Sequence, residues 1–356
     1  MISGSRHTLI KKAGSVFFPV IITILFLYFA FRKIDIGESL KMIAGTSIFW
    51  LVVYLIVFYA SNIVRAVRWK LVINPIKSGT SLLNLFGAVM IGYGVNCIVP
   101  RLGEVYRGLF LGKWEGLSRT SMVGTVIVER IIDVTFFALA SLISVLLFPG
   151  NLFEEVSWLR TSLIIGFGLI IVFIVALVII ARYEKHFTPA LIKLTGMISK
   201  KFSAKLSDVI STLIDGLSTI RSFRNFILII FYTALILILY ALNTYVGFYM
   251  LDMDKLADVN FAMAWVVMTI SSYGVMLPTP GGTGSYHIIT IFVLSRLYNF
   301  NNEVSAAYAL LTHFISYVIF IGTTIFVVYY INKLRRKKGE SSENFFSVFK
   351  IDSELK

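Results

Sequence analysis

Residues 162–181 read SLIIGFGLIIVFIVALVIIA, an unbroken apolar run without a single charge. As a helix at ~1.5 Å per residue it reaches about 30 Å, the thickness of a bilayer's hydrocarbon core. Five further long apolar stretches read as spans, two of them carrying charges: Phe17–Phe31, Ile48–Ala66, Met122–Phe148, Phe226–Met250 and Val304–Ile331. With 57% hydrophobic and 15% charged residues, the chain holds more apolar surface than a core can absorb. A soluble domain is nearer a quarter charged. The expectation is an all-α polytopic membrane protein with about six full spans.

Two other apolar segments, Leu82–Leu111 and Phe261–Leu297, are interrupted near their middles by Pro100 and by the run Pro278–Gly284. Proline removes a backbone donor and clashes with the preceding turn, so a helix does not run through it. Each segment reads as two half-helices around a break, a re-entrant hairpin. The two breaks also resemble each other. YGVNCIVPRLGEVYR starts at Tyr93 and YGVMLPTPGGTGSYH starts 180 positions later at Tyr273. Tyr, Gly, Val, Pro and Tyr recur at identical offsets, as in Pro100 and Pro280 or Tyr106 and Tyr286.

Charge orients the segments. Arg6, Lys11 and Lys12 precede the first span, residues 67–81 carry cations and no acid, and residues 182–225 carry eight Lys and Arg against three acids. Glu154, Glu155, Asp252, Asp254 and Asp258 gather on the opposite side. The positive-inside tendency then puts both termini in the cytoplasm. It also explains the net charge of +14 without a nucleic-acid partner. The first broken segment enters from the cytoplasm and the second from outside. An inverted-topology repeat follows, with one unit at about 48–148 and the other at about 226–331, joined by the basic segment 182–225. Residues 1–332 form a single transmembrane domain and 333–356 a basic tail. Within 182–225, the spacing of Leu191, Leu194, Ile198 and Phe202 suggests an amphipathic surface helix.

Charges inside spans cost roughly 2.5–3.5 kcal/mol each on insertion scales and mark candidate sites. Glu129, Arg130 and Asp133 fall in one span; Glu129 and Asp133 share a helix face. They form either a wall of a headgroup cavity or an ion-pair cluster that only joins helices. Asn62, Arg65 and Arg68 follow a three-residue rhythm, with Arg68 beside Trp69 as a possible interfacial anchor. Asn96, Arg101, Glu104 and Arg107 surround the first break, where an arginine fork suits phosphate or carboxylate. Gly281, Gly282 and Gly284 at the second break permit either close ligand approach or close packing, and a half-helix starting there offers free N–H groups to an anion. His287 and His313 lie in apolar runs as proton carriers or as helix-to-helix hydrogen bonders; His313 falls 180 positions after Asp133. The single cysteine, Cys97, excludes an internal disulfide. The DMD run at Asp252–Asp254 reads as an acidic loop, and no metal is expected.

The motifs NIVRAVRW, GYGVNCIVPRLGEVYR, ERIIDV and PTPGGTGSYH, in this order, resemble the lysylphosphatidylglycerol synthase transmembrane region, often called flippase-like. The resemblance runs from about residue 15 to 332 and implies a bacterial or archaeal cytoplasmic-membrane protein that moves or handles lipids. Well-known members add a cytosolic aminoacyl-transferase domain, which the residues after the last span are too few to supply. The family pattern places an acid and an arginine where this chain has His287 and His313.

The leading expectation is a lipid flippase or lipid-linked transporter, with a membrane phospholipid or lipid-linked anionic headgroup as its partner. Arg65, Arg101 and Arg130 would neutralise the headgroup; Glu104, Glu129 and Asp133 would balance those cations or couple protons. No Walker A run appears and no cofactor is expected. The alternatives are an intramembrane enzyme on lipid-linked substrates and a non-transporting membrane partner protein. Oligomerisation stays open.

Overall fold

The computed structural model describes residues 19–182 and 223–349. The amphipathic stretch at 191–202 and the first basic residues therefore lie outside the described part. Helices account for the regular structure, and no strand occurs among the described residues. In chain order they are α1 (Pro19–Phe31), α2 (Ile36–Ala44), α3 (Ile48–Ile73), α4 (Leu82–Ile98), α5 (Gly103–Glu115), α6 (Arg119–Leu147), α7 (Leu152–Glu155) and α8 (Ser157–Arg182). After the undescribed stretch come α9 (Phe223–Met250), α10 (Phe261–Met276), α11 (Ser285–Phe292) and α12 (Asn302–Lys337).

Among the described residues, α3, α6, α9 and α12 are long and apolar enough to cross a membrane. Only 22% to 33% of their most apolar windows is buried inside the protein, so much of their surface needs an apolar medium. α1 is shorter, while α8 contains the apolar stretch Ser157–Val172 within a 26-residue helix. The chain is thus an all-helical membrane protein. The difference from six equal spans lies in α1, whose described part reaches only about 20 Å at ~1.5 Å per residue.

Both broken segments fold back on themselves. α4 packs on α5 across the Pro100 turn, where the Gly92 carbonyl lies against Gly103; a Cβ at either glycine would meet the other helix. α10 packs on α11 across the Pro280 turn, with the Ser285 hydroxyl donating to the Gly274 carbonyl at 2.7 Å. The residue after each proline is left-handed, Arg101 at φ 62° and Gly281 at φ 54°. These positions are 180 apart, so the chain turns the same way at both breaks even though one copy lacks the glycine that makes such a turn easy.

The order long, short, short, long occurs twice, as α3–α6 and as α9–α12. α3 and α9 run antiparallel: Ser47 at the start of α3 donates its N–H to Met250 at the end of α9 (3.2 Å), while Arg68 near the end of α3 reaches Thr233 near the start of α9 (3.1 Å). The hairpins are exchanged. α4 packs against α12 and α10 against α6, each on the long closing helix of the other set.

The loops fall at two ends. One gathers α2, Asp252, Asp254 and Glu303, with the Ser39 hydroxyl donating to the Glu303 carbonyl (3.1 Å). The other gathers Lys77, Glu115, Arg119 and Arg335. There the tail does not trail away as a simple basic extension. After α12 it folds back, with Asn332 and the Glu343 backbone exchanging two hydrogen bonds, Val348 fully buried and Phe345 packed on Phe110.

Candidate functional site

α3 continues beyond Ala66 to Ile73, which places Asn62, Arg65, Arg68 and Trp69 in one helix. Arg65 and Arg68, three apart, point together at α6, where Glu129 and Asp133 stand one turn apart. Arg68 Nη2 lies 2.7 Å from Glu129 Oε1 and 2.6 Å from Asp133 Oδ1, while its Nη1 donates to the Thr233 hydroxyl. Arg65 Nη1 reaches Asp133 Oδ2 at 2.7 Å and Glu129 at 3.6 Å, and its Nε donates to the Tyr240 hydroxyl at 3.3 Å. From α5, Arg107 pairs with the second Glu129 oxygen, and its guanidinium lies 3.9 Å over the Trp69 ring. Trp69 is held by its indole N–H bond to Thr125 (3.0 Å).

This side of the cluster is sealed: Arg68 and Glu129 are 0% exposed. The other side is open. Arg130, with a side chain 37% exposed, lies 3.4 Å from Asp133 and 3.7 Å from Glu104. Glu104 also accepts from the Asn96 amide at 3.3 Å, and Asn96 Oδ1 caps the Gly103 N–H at the start of α5 (2.8 Å). Four guanidinium groups (Arg65, Arg68, Arg107, Arg130) thus meet three carboxylates (Glu104, Glu129, Asp133), an excess of one positive charge. An anionic group at the open flank would balance that charge.

Arg68, open to an anchoring role by sequence, is a fully buried member. Its signal was the three-residue rhythm from Arg65, obscured because the apolar pattern fades at Ala66. Tyr240 and Thr233 are further contacts that only the antiparallel packing of α9 on α3 supplies. Asn62 stays apart and donates to the Phe58 carbonyl of its own helix (2.9 Å). Arg101 does not pair with Glu104. It is exposed at the break and donates to the Met276 carbonyl at 2.6 Å, tying the first hairpin to the second.

The second break is closely packed. A Cβ at Gly281 would lie 2.5 Å from the Tyr317 hydroxyl, and one at Gly284 would meet Phe26 and the Thr23 carbonyl of α1. Gly282 has φ 82° and is buried. The Gly284 N–H donates to His287 Nδ1 (3.2 Å), so this start of a half-helix is capped from within. His287 and His313 meet, with ring centroids 4.7 Å apart. His313 Nε2 contacts the Thr283 hydroxyl at 3.2 Å. The Tyr317 hydroxyl lies within hydrogen-bond reach of the carbonyls of Pro280 and Cys97, one at each break.

Two curated relatives bear the same description. A UPF0104 membrane protein of Methanocaldococcus jannaschii is 24% identical over 312 residues, covering 84% of this chain and 90% of the relative. A UPF0104 membrane protein of Methanothermobacter thermautotrophicus is 25% identical over 265 residues, covering 70% of this chain and 76% of the relative. No solved structure matches. The profile of the lysylphosphatidylglycerol synthase TM region matches residues 16–322, and the chain belongs to that family.

Proposed function

We propose that this protein is a flippase for phospholipids or lipid-linked substrates, and that it binds an anionic headgroup at the open flank of the arginine–carboxylate cluster. The α4–α5 and α10–α11 hairpins are re-entrant in this reading, dipping into the bilayer from opposite sides as parts of two inverted repeat units. The observation that carries the reading is the excess guanidinium charge beside Arg130, Glu104 and Asp133, between helices too apolar for water. Charge held so deep is costly unless it has a task, and inverted repeats with broken helices are a common transporter plan. Arg130 would take the headgroup's negative charge, Arg101 would join the two breaks, and the Glu129 side, with Arg65, Arg68 and Arg107, would hold the helices in place. An intramembrane enzyme finds less support: Asp252 of the acidic loop pairs with Lys255 (3.0 Å) in an exposed turn, away from the buried charges.

The test is transbilayer movement of a fluorescent phosphatidylglycerol in reconstituted liposomes. The protein should accelerate it, and Arg130→Gln should slow it by roughly tenfold or more, as expected for one lost charge-assisted hydrogen bond. Equal rates with and without protein would remove the flippase reading.

A further inference from the structure

A groove of about 660 Å³ runs along the outer face of α12, between α12 and α1. Its volume falls within the ~300–1,000 Å³ common for ligand sites. Leu27 of α1 and Leu310, Phe314, Val318 and Ile321 of α12 give it apolar walls, and Gly322 leaves space where a side chain would stand. Its floor adds a small polar area, from Thr283, His287, His313 and Tyr317. Among the described residues, no Asp, Glu, Lys or Arg lines it. The same face of α12 exposes Phe314, Val318, Ile325 and Phe326. In a membrane protein these residues border the lipid phase, so whatever fills the groove enters from there.

The floor retains one free donor. His287 Nδ1 accepts the Gly284 N–H, which fixes the ring proton on Nε2. His287 is 3% exposed and lines the groove, and its Nε2–H has no acceptor among the described residues. Facing an apolar groove, a donor without a partner is costly, so an acceptor oxygen would complete the site. With no charged residue among the described residues of the walls, a charged headgroup finds no compensation from them.

We propose that this groove binds one chain of a membrane lipid, whose uncharged linkage oxygen, such as an ester carbonyl, accepts the His287 Nε2–H. Tyr317, within hydrogen-bond reach of both breaks, stands on the groove floor, and the arginine cluster has no residue in the groove's lining. The inference rests on the membrane setting and not on the headgroup reading.

Photo-crosslinking tests it. The full chain is reconstituted in dioleoylphosphatidylcholine vesicles doped with phosphatidylcholine carrying a diazirine on its acyl chain, then irradiated and mapped by peptide mass spectrometry. Adducts should concentrate on Leu310–Gly322 over Ile325–Tyr330 of the same helix. His287→Phe, which keeps the ring and removes the donor, should lower that enrichment roughly fivefold, the range one hydrogen bond supports. Gly322→Trp fills the groove, leaves both histidines in place, and should abolish the enrichment. Arg130→Gln should leave it unchanged, which separates this site from the headgroup reading. Even labelling along α12, enrichment that survives both groove variants, or crosslinks showing the chain's own residues 1–18 in the groove would overturn the proposal.

Discussion

Glu129 receives three guanidinium groups, from Arg65, Arg68 and Arg107, and none of its surface is exposed. Removing one member of a buried ion cluster leaves the others uncompensated, at a cost of about 3–5 kcal/mol. Glu129→Gln should therefore lower the thermal midpoint in detergent by many degrees. Glu104→Gln removes a carboxylate from the open flank, where its side chain is 29% exposed, and solvent screens the loss. Its stability change should stay within about 1 kcal/mol, so any larger effect on lipid movement reports on the site. If the two variants are equally stable, the division into sealed and open flanks is wrong. Much of this cluster was legible from spacing, because Glu129 and Asp133 could only share a helix face. The placing of Arg107 is not legible in the sequence for a physical reason: its inward position depends on Trp69 and Glu129, which are distant in sequence.

At the level of elements, the two hairpins solve the same turn at unequal cost. A left-handed residue with a side chain costs about 1–2 kcal/mol, and Arg101 bears it while Gly281 does not. Gly281→Ala should destabilise twice over, through its φ and through the Tyr317 ring that fills the space of a Cβ. Adding Tyr317→Ala should relieve the steric part and leave about 1–2 kcal/mol of backbone strain, giving a clear coupling in a double-mutant cycle. Additive effects measured by unfolding would contradict the close approach. The prolines and their repeated neighbours made both breaks readable in the sequence. The glycine run could be read as an anion cradle or as a packing device. What decided the geometry was α1, whose Phe26 and Thr23 press on Gly284, a contact spanning some 260 positions that no local pattern encodes. The fold-back of the tail onto α5 was hidden for the same reason, since Arg119 and Phe110, which anchor it, are distant in sequence.

Across the whole molecule, the antiparallel α3 and α9 and the exchanged hairpins give the two sets of helices opposite directions, and charge follows the same division. Acids such as Asp252, Asp254 and Glu154 lie at the end where α3 begins and α9 finishes; Lys77, Arg335 and Arg336 lie at the other. Since cytoplasmic ends collect Lys and Arg, the basic end should face the cytoplasm. Two exposed positions report on this, Ser78 in the α3–α4 loop and Asp254 before α10, and Cys97 is buried enough to be replaced by alanine for a clean background. In spheroplasts, a membrane-impermeant maleimide should label Asp254→Cys directly and Ser78→Cys only after permeabilisation. The reverse pattern would invert the orientation while preserving the architecture. Equal labelling of both from outside would place the two loops on one side, which the antiparallel crossing of α3 and α9 does not allow, and the transport reading would lose its inverted frame.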